Sequence, residues 1–404
     1  MEKFRYSARD MALYRAKLEK IPVVLASATP SLETLKNVKE EKYKVLKLNK
    51  RATGANLPTY HAVDLKGKEL HEGLSKELLE ATQTELDKGN QVLIFLNRRG
   101  YAPSMICKAC GWISNCDRCD ALMTVHKNPL KLHCHHCEAQ KPYPSKCPSC
   151  GSDDFLTYGF GTERVEEFLR GHFPDTKTLR IDSDSTRKKE SLNEYFDEIK
   201  KGEPIILLGT QLLAKGHHFP NVTLVGIIDA DSGLFSADFR GSERVAQLMT
   251  QVAGRAGRDK KPGRVILQSY CLDHPQIEEI ITGSYEKFAK KLLEERKSYK
   301  IPPFSFQAKI FAESPKSLVS RDFILNLLNQ SKINKQISSN VRIVGPLPSI
   351  MEKKSGVYRW ELSIFSSSRS NLHKFLDVMQ SRLYEPKLTK QVRWSIDVDP
   401  LSSI

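Results

Sequence analysis

Five short apolar runs with β-branched content, at residues 91–97, 178–182, 204–210, 222–231 and 264–270, read as buried strands. Between them, residues 75–88, 162–173, 186–201 and 244–253 place apolar side chains at helical spacing, which predicts amphipathic helices. Strand and helix in alternation predict an α/β fold with a parallel, doubly wound sheet. The run Ile21-Pro22-Val23-Val24-Leu25-Ala26 predicts one more strand near the front of the chain. After a helical stretch at 276–296 the character changes at Ile301-Pro302-Pro303. Beyond it the pattern predicts strand 307–312, helix 318–328, strands 341–344 and 357–365, helix 372–382 and strand 392–398. That order matches a split β-α-β unit and predicts a separate small α+β domain. No internal repeat is visible.

A length of 404 residues predicts two to four compact units. Hydrophobic residues make up 40% of the chain and no apolar run approaches twenty residues, which excludes a membrane-spanning or largely disordered protein. Met1 to Tyr6 lacks the apolar core of a signal peptide, so the cytoplasm is the expected compartment. The formal net charge of +15 favours a polyanionic partner, nucleic acid first and an acidic membrane second.

Eight of the nine cysteines fall into Cys-x-x-Cys pairs: Cys107/Cys110, Cys116/Cys119, Cys134/Cys137 and Cys147/Cys150. Two thiolates in one such turn reach a single metal ion about 2.3 Å from each sulfur, so two pairs complete a closed tetrahedral site. Four pairs predict two Zn²⁺ ions per chain, in preference to iron, and a cytoplasmic setting disfavours disulfides. Pairs one and four are each followed by glycine, Gly111 and Gly151, while pairs two and three are followed by Asp120 and Glu138. Matching turns predict nesting: an outer site of Cys107, Cys110, Cys147 and Cys150 around an inner site of Cys116, Cys119, Cys134 and Cys137. With eight thiolates and two zinc ions counted, the net charge falls to about +11, still basic. His126, His133, His135 and His136 are then surplus as ligands and read as surface or DNA-facing. Lys108, Trp112, Arg118, Lys127 and Lys131 favour contact with DNA or a DNA-bound protein.

Ligands of a doubly wound sheet gather at the carboxyl ends of its strands. There Gly209-Thr210-Gln211 leads into Ala214-Lys215-Gly216-His217-His218-Phe219-Pro220, a loop rich in donors for a phosphate backbone. Farther on, Arg255 and Arg258 in Gln-Val-Ala-Gly-Arg-Ala-Gly-Arg are spaced to point the same way from one helical turn, as suits a γ-phosphate.

Ser27-Ala28-Thr29-Pro30, Asn97-Arg98-Arg99-Gly100, Gly161-Thr162-Glu163, the 210–220 loop and 251–258 together resemble motifs III to VI of superfamily 2 helicases. With eight cysteines inserted between the fourth motif and the Gly-Thr-Glu helix, the whole chain resembles the primosomal protein N′ family of replication-restart helicases. The resemblance implies a RecA-like doubly wound helicase lobe with an inserted two-zinc Cys-rich module, followed by the small α+β domain. It divides the chain into a remnant of the first lobe (1–50), the second lobe (51–103 and 157–300), the zinc-binding insertion (104–156) and a C-terminal domain for DNA or partners (301–404). It implies ATP-dependent 3′ to 5′ unwinding at stalled or branched forks, with ATP and Mg²⁺ as cofactors. The implied partners are forked and single-stranded DNA, single-strand-binding protein and primosome components. DNA contact falls to Arg98, Thr210, Gln211 and Lys215, and ATP chemistry to Gly216, Arg255 and Arg258. His218 stands where the wider superfamily often has an acidic residue.

The departures matter as much. No Gly-rich loop ends in Lys-Ser/Thr: Gly67-Lys68 is followed by Glu69. The pair Asp197-Glu198 falls in a predicted amphipathic helix, so no Mg²⁺-binding acidic pair closes an apolar strand. The chain is expected to begin past the acidic motif, inside an aromatic-rich loop at Phe4-Arg5-Tyr6. It is then inactive as an ATPase alone, and 21–26 is a strand stranded from its sheet, with exposed apolar surface. The alternative is a non-catalytic zinc- and DNA-binding fragment acting at forks or with a separately encoded front half. In the last domain, Lys353, Lys354, Tyr358, Arg359 and Trp360 are candidates to hold DNA or the acidic tail of single-strand-binding protein.

Overall fold

The computed structural model describes all residues except 1–5, 49–56, 97–103, 108, 111, 119–120, 128–129, 135–136, 138, 159–161, 183–188, 211–218, 232–237, 258–260, 283, 332–339, 384–390 and 402–404. Two compact units emerge, one of Met1–Lys36, Met105–Leu156 and Leu293–Ile404, the other of Asn37–Ser104 and Thr157–Leu292. The strands in chain order are β1 Thr59–Asp64, β2 Leu70–His71, β3 Leu74–Ser75, β4 Gln91–Phe95, β5 Ser104–Cys107, β6 Thr124–Lys127, β7 Leu130–His133, β8 Gln140–Pro142 and β9 Phe155–Tyr158. They continue with β10 Lys177–Ile181, β11 Ile205–Gly209, β12 Val222–Ile227, β13 Arg264–Ser269, β14 Phe306–Ser314, β15 Arg342–Lys354, β16 Val357–Ser366 and β17 Arg393–Val398. Among the described residues no helix is long and apolar enough to cross a membrane.

The second unit is built on a parallel sheet in the order β1-β13-β12-β4-β11-β10. Every residue of β4, β11 and β12 is buried, which explains why they read as unbroken apolar runs: a parallel sheet is covered on both faces. On one face Val92, Ile94, Ile206, Leu208 and Leu224 pack with Leu78 and Leu79 of helix Lys76–Asp87 and with Val165 and Leu169 of helix Thr162–His172. The alternate residues Leu93, Phe95, Leu207 and Val225 are equally buried. Ser75 caps its helix by accepting from the Leu78 amide, and buried Gln268 clamps the β2–β3 turn by accepting from the Ser75 amide and donating to the Gly73 carbonyl.

Three expectations need correction. Residues 21–26 form no strand: they run extended with Ile21, Val23, Val24 and Leu25 exposed, and no described strand pairs with them. The stretch 276–296 is two helices, Pro275–Thr282 and Tyr285–Ser298, the second opened by Ser284, whose hydroxyl caps it by accepting from the Lys287 amide. The edge strand β1 escaped notice because its polar residues alternate with only one buried position, Val63.

The C-terminal part of the first unit is an antiparallel sheet in the order β15-β16-β14-β17, with helices Ser317–Ser331 and Arg369–Leu383. Ala308, Ile310, Ala312, Leu362 and Ile364 meet Phe323, Leu327, Phe375 and Met379 in its core. This is the split β-α-β arrangement. On the opposite face Lys309 donates to Glu361 at 2.8 Å, with side chains 6% and 14% exposed. Removing one partner strands the other charge. Glu361→Leu is therefore expected to cost about 3 kcal/mol in urea unfolding, and adding Lys309→Met to recover most of it. A double variant no more stable than the single one contradicts this.

Candidate functional site

The Cys-rich module is a small sheet in the order β8-β7-β6-β5-β9. Its four Cys-x-x-Cys turns share one backbone design, a repeat hidden by their differing sequences. The amide of the first cysteine donates to the carbonyl five residues on: Cys107 to Trp112 (2.8 Å), Cys116 to Ala121 (2.9 Å), Cys134 to Ala139 (2.8 Å) and Cys147 to Ser152 (2.7 Å). Amides inside the turns point at sulfur, Arg118 N to Cys116 Sγ and Ser149 N to Cys147 Sγ, each at 3.4 Å.

The Sγ atoms of Cys107, Cys110, Cys147 and Cys150 all lie within 4.8 Å of one another, as do those of Cys116, Cys134 and Cys137. Cys119 lies outside the described residues. Sulfurs approach at 3.6 Å (Cys107–Cys150), 3.7 Å (Cys110–Cys147) and 3.6 Å (Cys116–Cys137). Four ligands about 2.3 Å from a tetrahedral ion sit about 3.8 Å apart, whereas a disulfide needs about 2.05 Å. The donor sets therefore fit tetrahedral zinc and not disulfides. The Trp112 amide helps lower the Cys110 thiol to about 7. At Cys150 the Ser152 amide also lowers the pKa, but hydrogen bonding with the Cys110, Cys107 and Cys147 sulfurs and lost hydration carry it up to about 12. Four sulfurs this close do not all ionise unless a cation sits among them.

Met105, Met123, Val125 and Leu132 pack with Cys116 and Cys134 to form the module's core. His133, next to Leu132 on β7, is also buried, only 7% exposed, so it does not lie on the surface as the sequence suggested. Lys108, His135 and His136 lie outside the described residues, while Arg118 is exposed and Trp112 and Lys131 are partly so.

In the parallel sheet Thr210 directly follows the carboxyl end of β11 and is half-buried. Arg98, Gln211, Lys215, Gly216, His218 and Arg258 lie outside the described residues. Arg255 does not ride a helical turn as expected. Helix Gly241–Ala253 ends first, and Arg255 sits in the following turn, 5% exposed. Nor is it at the carboxyl edge. The helix returns antiparallel to the strands, and the Gly257 amide donates to the carbonyl of Val222, the first residue of β12. Thr210 and Arg255 thus occupy opposite ends of one sheet, about 17 Å apart along a five-residue strand.

Sequence reasoning passed over Asp182, which follows β10. It accepts from Thr162 Oγ1 at 2.8 Å and pairs with Arg180 at 3.3 Å, and Arg180 also reaches Glu163 and Glu166. This network fixes the start of the Gly-Thr-Glu helix. An acidic residue closing an apolar strand was the available signal. In the C-terminal cluster, Arg359 pairs with Glu313 at 3.1 Å and Trp360 Nε1 donates to Ser317 at 2.9 Å, while Lys353 donates to the Asp117 carbonyl.

Residues 297–401 match the family described as Primosomal protein N C-terminal domain, 116–142 the PriA DNA helicase Cys-rich region (CRR) domain, and 152–260 the Helicase conserved C-terminal domain. The replication restart protein PriA of Haemophilus influenzae is 46% identical over 99% of this chain and 54% of its own length. That of Bacillus subtilis is 36% identical over 98% of this chain and 49% of its own. The chain thus spans about half the length of these curated relatives. Among solved structures, S. cerevisiae Dbp5 bound to RNA and ADP BeF3 aligns over 70% of this chain and 59% of that one, with a TM-score of 0.36 at 14% identity, too weak a likeness to argue from.

Proposed function

The chain belongs to the family of the replication restart protein PriA, and on that premise we propose that it supplies the second motor lobe, zinc module and C-terminal domain of an ATP-dependent 3′ to 5′ DNA helicase acting at stalled forks. The observation that carries this reading is a four-thiol cluster and, among the described residues, a three-thiol cluster, inserted in the chain between β4 and helix Thr162–His172 of a parallel sheet. Two zinc ions, held by Cys107, Cys110, Cys147 and Cys150 and by Cys116, Cys119, Cys134 and Cys137, close the module. Zinc supplies no chemistry here beyond clamping the turns.

In the complete motor the sheet presents Thr210, with Gln211, Lys215 and Arg98, to the DNA backbone. The phosphates of ATP–Mg²⁺ fall to Arg255, at the opposite end of the sheet, with Arg258 three residues on in sequence and Gly216, the neighbour of Lys215. A guanidinium aimed at a γ-phosphate stabilises charge that develops during transfer. Single-strand-binding protein and primosome components are the partners this reading implies, and the cytoplasm is where they meet. Arg359 reaches an acidic tail only by giving up Glu313, so Lys354 and Tyr358 are the better candidates for that contact.

A second reading, a zinc- and DNA-binding fragment without catalysis, is favoured by one observation: no phosphate loop occurs anywhere in the 404 residues. An ATPase assay on forked DNA separates the two. This chain alone is expected to bind the fork and give no turnover above background, with turnover appearing when a chain carrying the phosphate loop is added. Turnover by this chain alone, abolished by Arg255→Ala, overturns the assignment of roles.

A further inference from the structure

The β15–β16 hairpin is longer than the sequence predicted, and its tip does not end in solvent. Gly345, Pro346 and Pro348 read as breakers, but the strand passes through them with register shifts between Val344 and Leu347 and between Pro348 and Lys353. The ladder then resumes at Lys353–Tyr358 and closes in a two-residue turn, Ser355 at φ 54 and Gly356 at φ 83, the positive pair that a tight hairpin needs. At this tip the Gly356 amide donates to the Arg118 carbonyl at 2.7 Å, and Lys353 Nζ donates to the Asp117 carbonyl at 3.0 Å. One turn of pleat earlier, Met351 packs against the module's core, which contains the sulfurs of Cys116 and Cys134.

Asp117 and Arg118 are the two residues between Cys116 and Cys119. The peptide unit between them is oriented by sulfur: the Arg118 amide points at Cys116 Sγ at 3.4 Å, which turns the Asp117 carbonyl of the same unit the other way, where it accepts from Lys353, and the Arg118 carbonyl follows in the same turn. An ionised, metal-bound sulfur holds such an amide more strongly than a neutral thiol does. The surface that the hairpin recognises therefore exists only while the inner turn is closed on its ion.

We infer that the hairpin tip is a latch that reads the inner metal site, joining the C-terminal domain to the Cys-rich module when that site is filled and releasing it when the site is empty. This rests on the zinc reading above and goes beyond it: the outer ion closes the module, while the inner ion also docks a second domain. Linkage makes the effect reciprocal, so an intact latch must tighten binding of the inner ion by the factor by which the ion stabilises the docked tip.

The test is hydrogen exchange on the full chain, with zinc counted in the same samples. In the wild type the Gly356 amide is protected. Cys134→Ser, which breaks the inner site, should speed its exchange ~10-fold or more, about 1.4 kcal/mol, while the amides of β14 keep their protection. Cys150→Ser, in the outer site, should leave Gly356 unchanged. Should Cys134→Ser also expose β14, the variant Met351→Ser/Lys353→Glu decides. It retains all eight cysteine ligands and should hold one of its two zinc ions ~10-fold more weakly than the wild type in competition with a chelator, the other with wild-type affinity. Loss of the inner ion in Cys134→Ser with Gly356 exchange unchanged, or equal zinc affinities in the hairpin variant and the wild type, overturns the latch alone. A wild-type chain with one zinc ion or none overturns the zinc reading and the latch with it.

Discussion

The purified chain is expected to carry two zinc ions, and Cys147→Ser to carry one, at the inner site, and to lose the closure of the outer turns at Cys107–Cys110 and Cys147–Cys150. The module has little else to hold it. Its core is Met105, Met123, Val125 and Leu132 around two cysteines, and its strands are three or four residues long. A unit this small does not bury enough apolar area to offset the entropy of ordering its chain. A structural zinc ion contributes about 10–16 kcal/mol of binding free energy at neutral pH, which in such modules is folding free energy. Losing the outer ion frees the Cys107 and Cys147 turns together, which are the module's entry and exit. Tryptophan emission should report the change through Trp112, which packs on that core. The parallel sheet draws its stability from Leu78, Ile94, Leu208, Leu224 and their neighbours, so its urea midpoint should hold. A zinc-free chain whose Trp112 signal matches the loaded one refutes the assignment.

Legibility in the sequence followed the physical origin of each feature. β4, β11 and β12 were readable because both faces are buried, leaving nothing to interrupt the apolar run. The cysteine pairs were readable because metal ligation imposes a short, fixed spacing. β1 was not: an edge strand with one buried residue carries no pattern to find. The run at 21–26 forms no described strand, and its apolar residues are exposed, as expected of a segment without its sheet. Apolar content reports what a segment wants to bury, not whether a partner strand is there. The hairpin β15–β16 was cut short because proline and glycine usually end strands, whereas here a bulged edge absorbs them.

Arg255 shows a different limit. Spacing placed it beside Arg258 and on the carboxyl edge, yet it lies in a turn at the amino end of β12. What decides its position is a backbone crossing that no side-chain pattern records. Asp182 was missed for a related reason: its partners Thr162 and Arg180 come together only when helix and strand pack.

That crossing supports the last prediction. Gly257, at φ +61, passes Gly263 so closely that a Cβ on it would lie 2.4 Å from the Gly263 nitrogen and 2.7 Å from its Cα. A Cβ on Gly263 would lie 2.6 Å from the Ala256 carbonyl carbon and 2.7 Å from the Gly257 nitrogen. Both obstacles are backbone, so no rotamer change relieves them. Gly263 is also tied down, its carbonyl accepting from Thr59 at the start of β1, as Gly257 is tied to Val222. Overpacking of this kind costs about 1–3 kcal/mol, and a positive φ adds about 1 for a residue with a side chain. Gly257→Ala should therefore lose about 4 kcal/mol and Gly263→Ala about 3. Two other glycines calibrate the claim. At Gly226 the obstacle is the Leu78 side chain, whose methyls lie 2.7 and 3.0 Å from the added carbon, and a side chain yields, so the cost should be about 1–2 kcal/mol. At Gly171, inside helix Thr162–His172, the added carbon meets nothing within 4 Å, and alanine should stabilise by up to about 1 kcal/mol. Urea unfolding of the four variants tests the order 257, 263, 226, 171. If Gly263→Ala is as stable as Gly171→Ala, the crossing does not pin the turn. Arg255 then owes its burial to something other than the backbone, and the γ-phosphate role proposed for it no longer rests on a position set by the sheet.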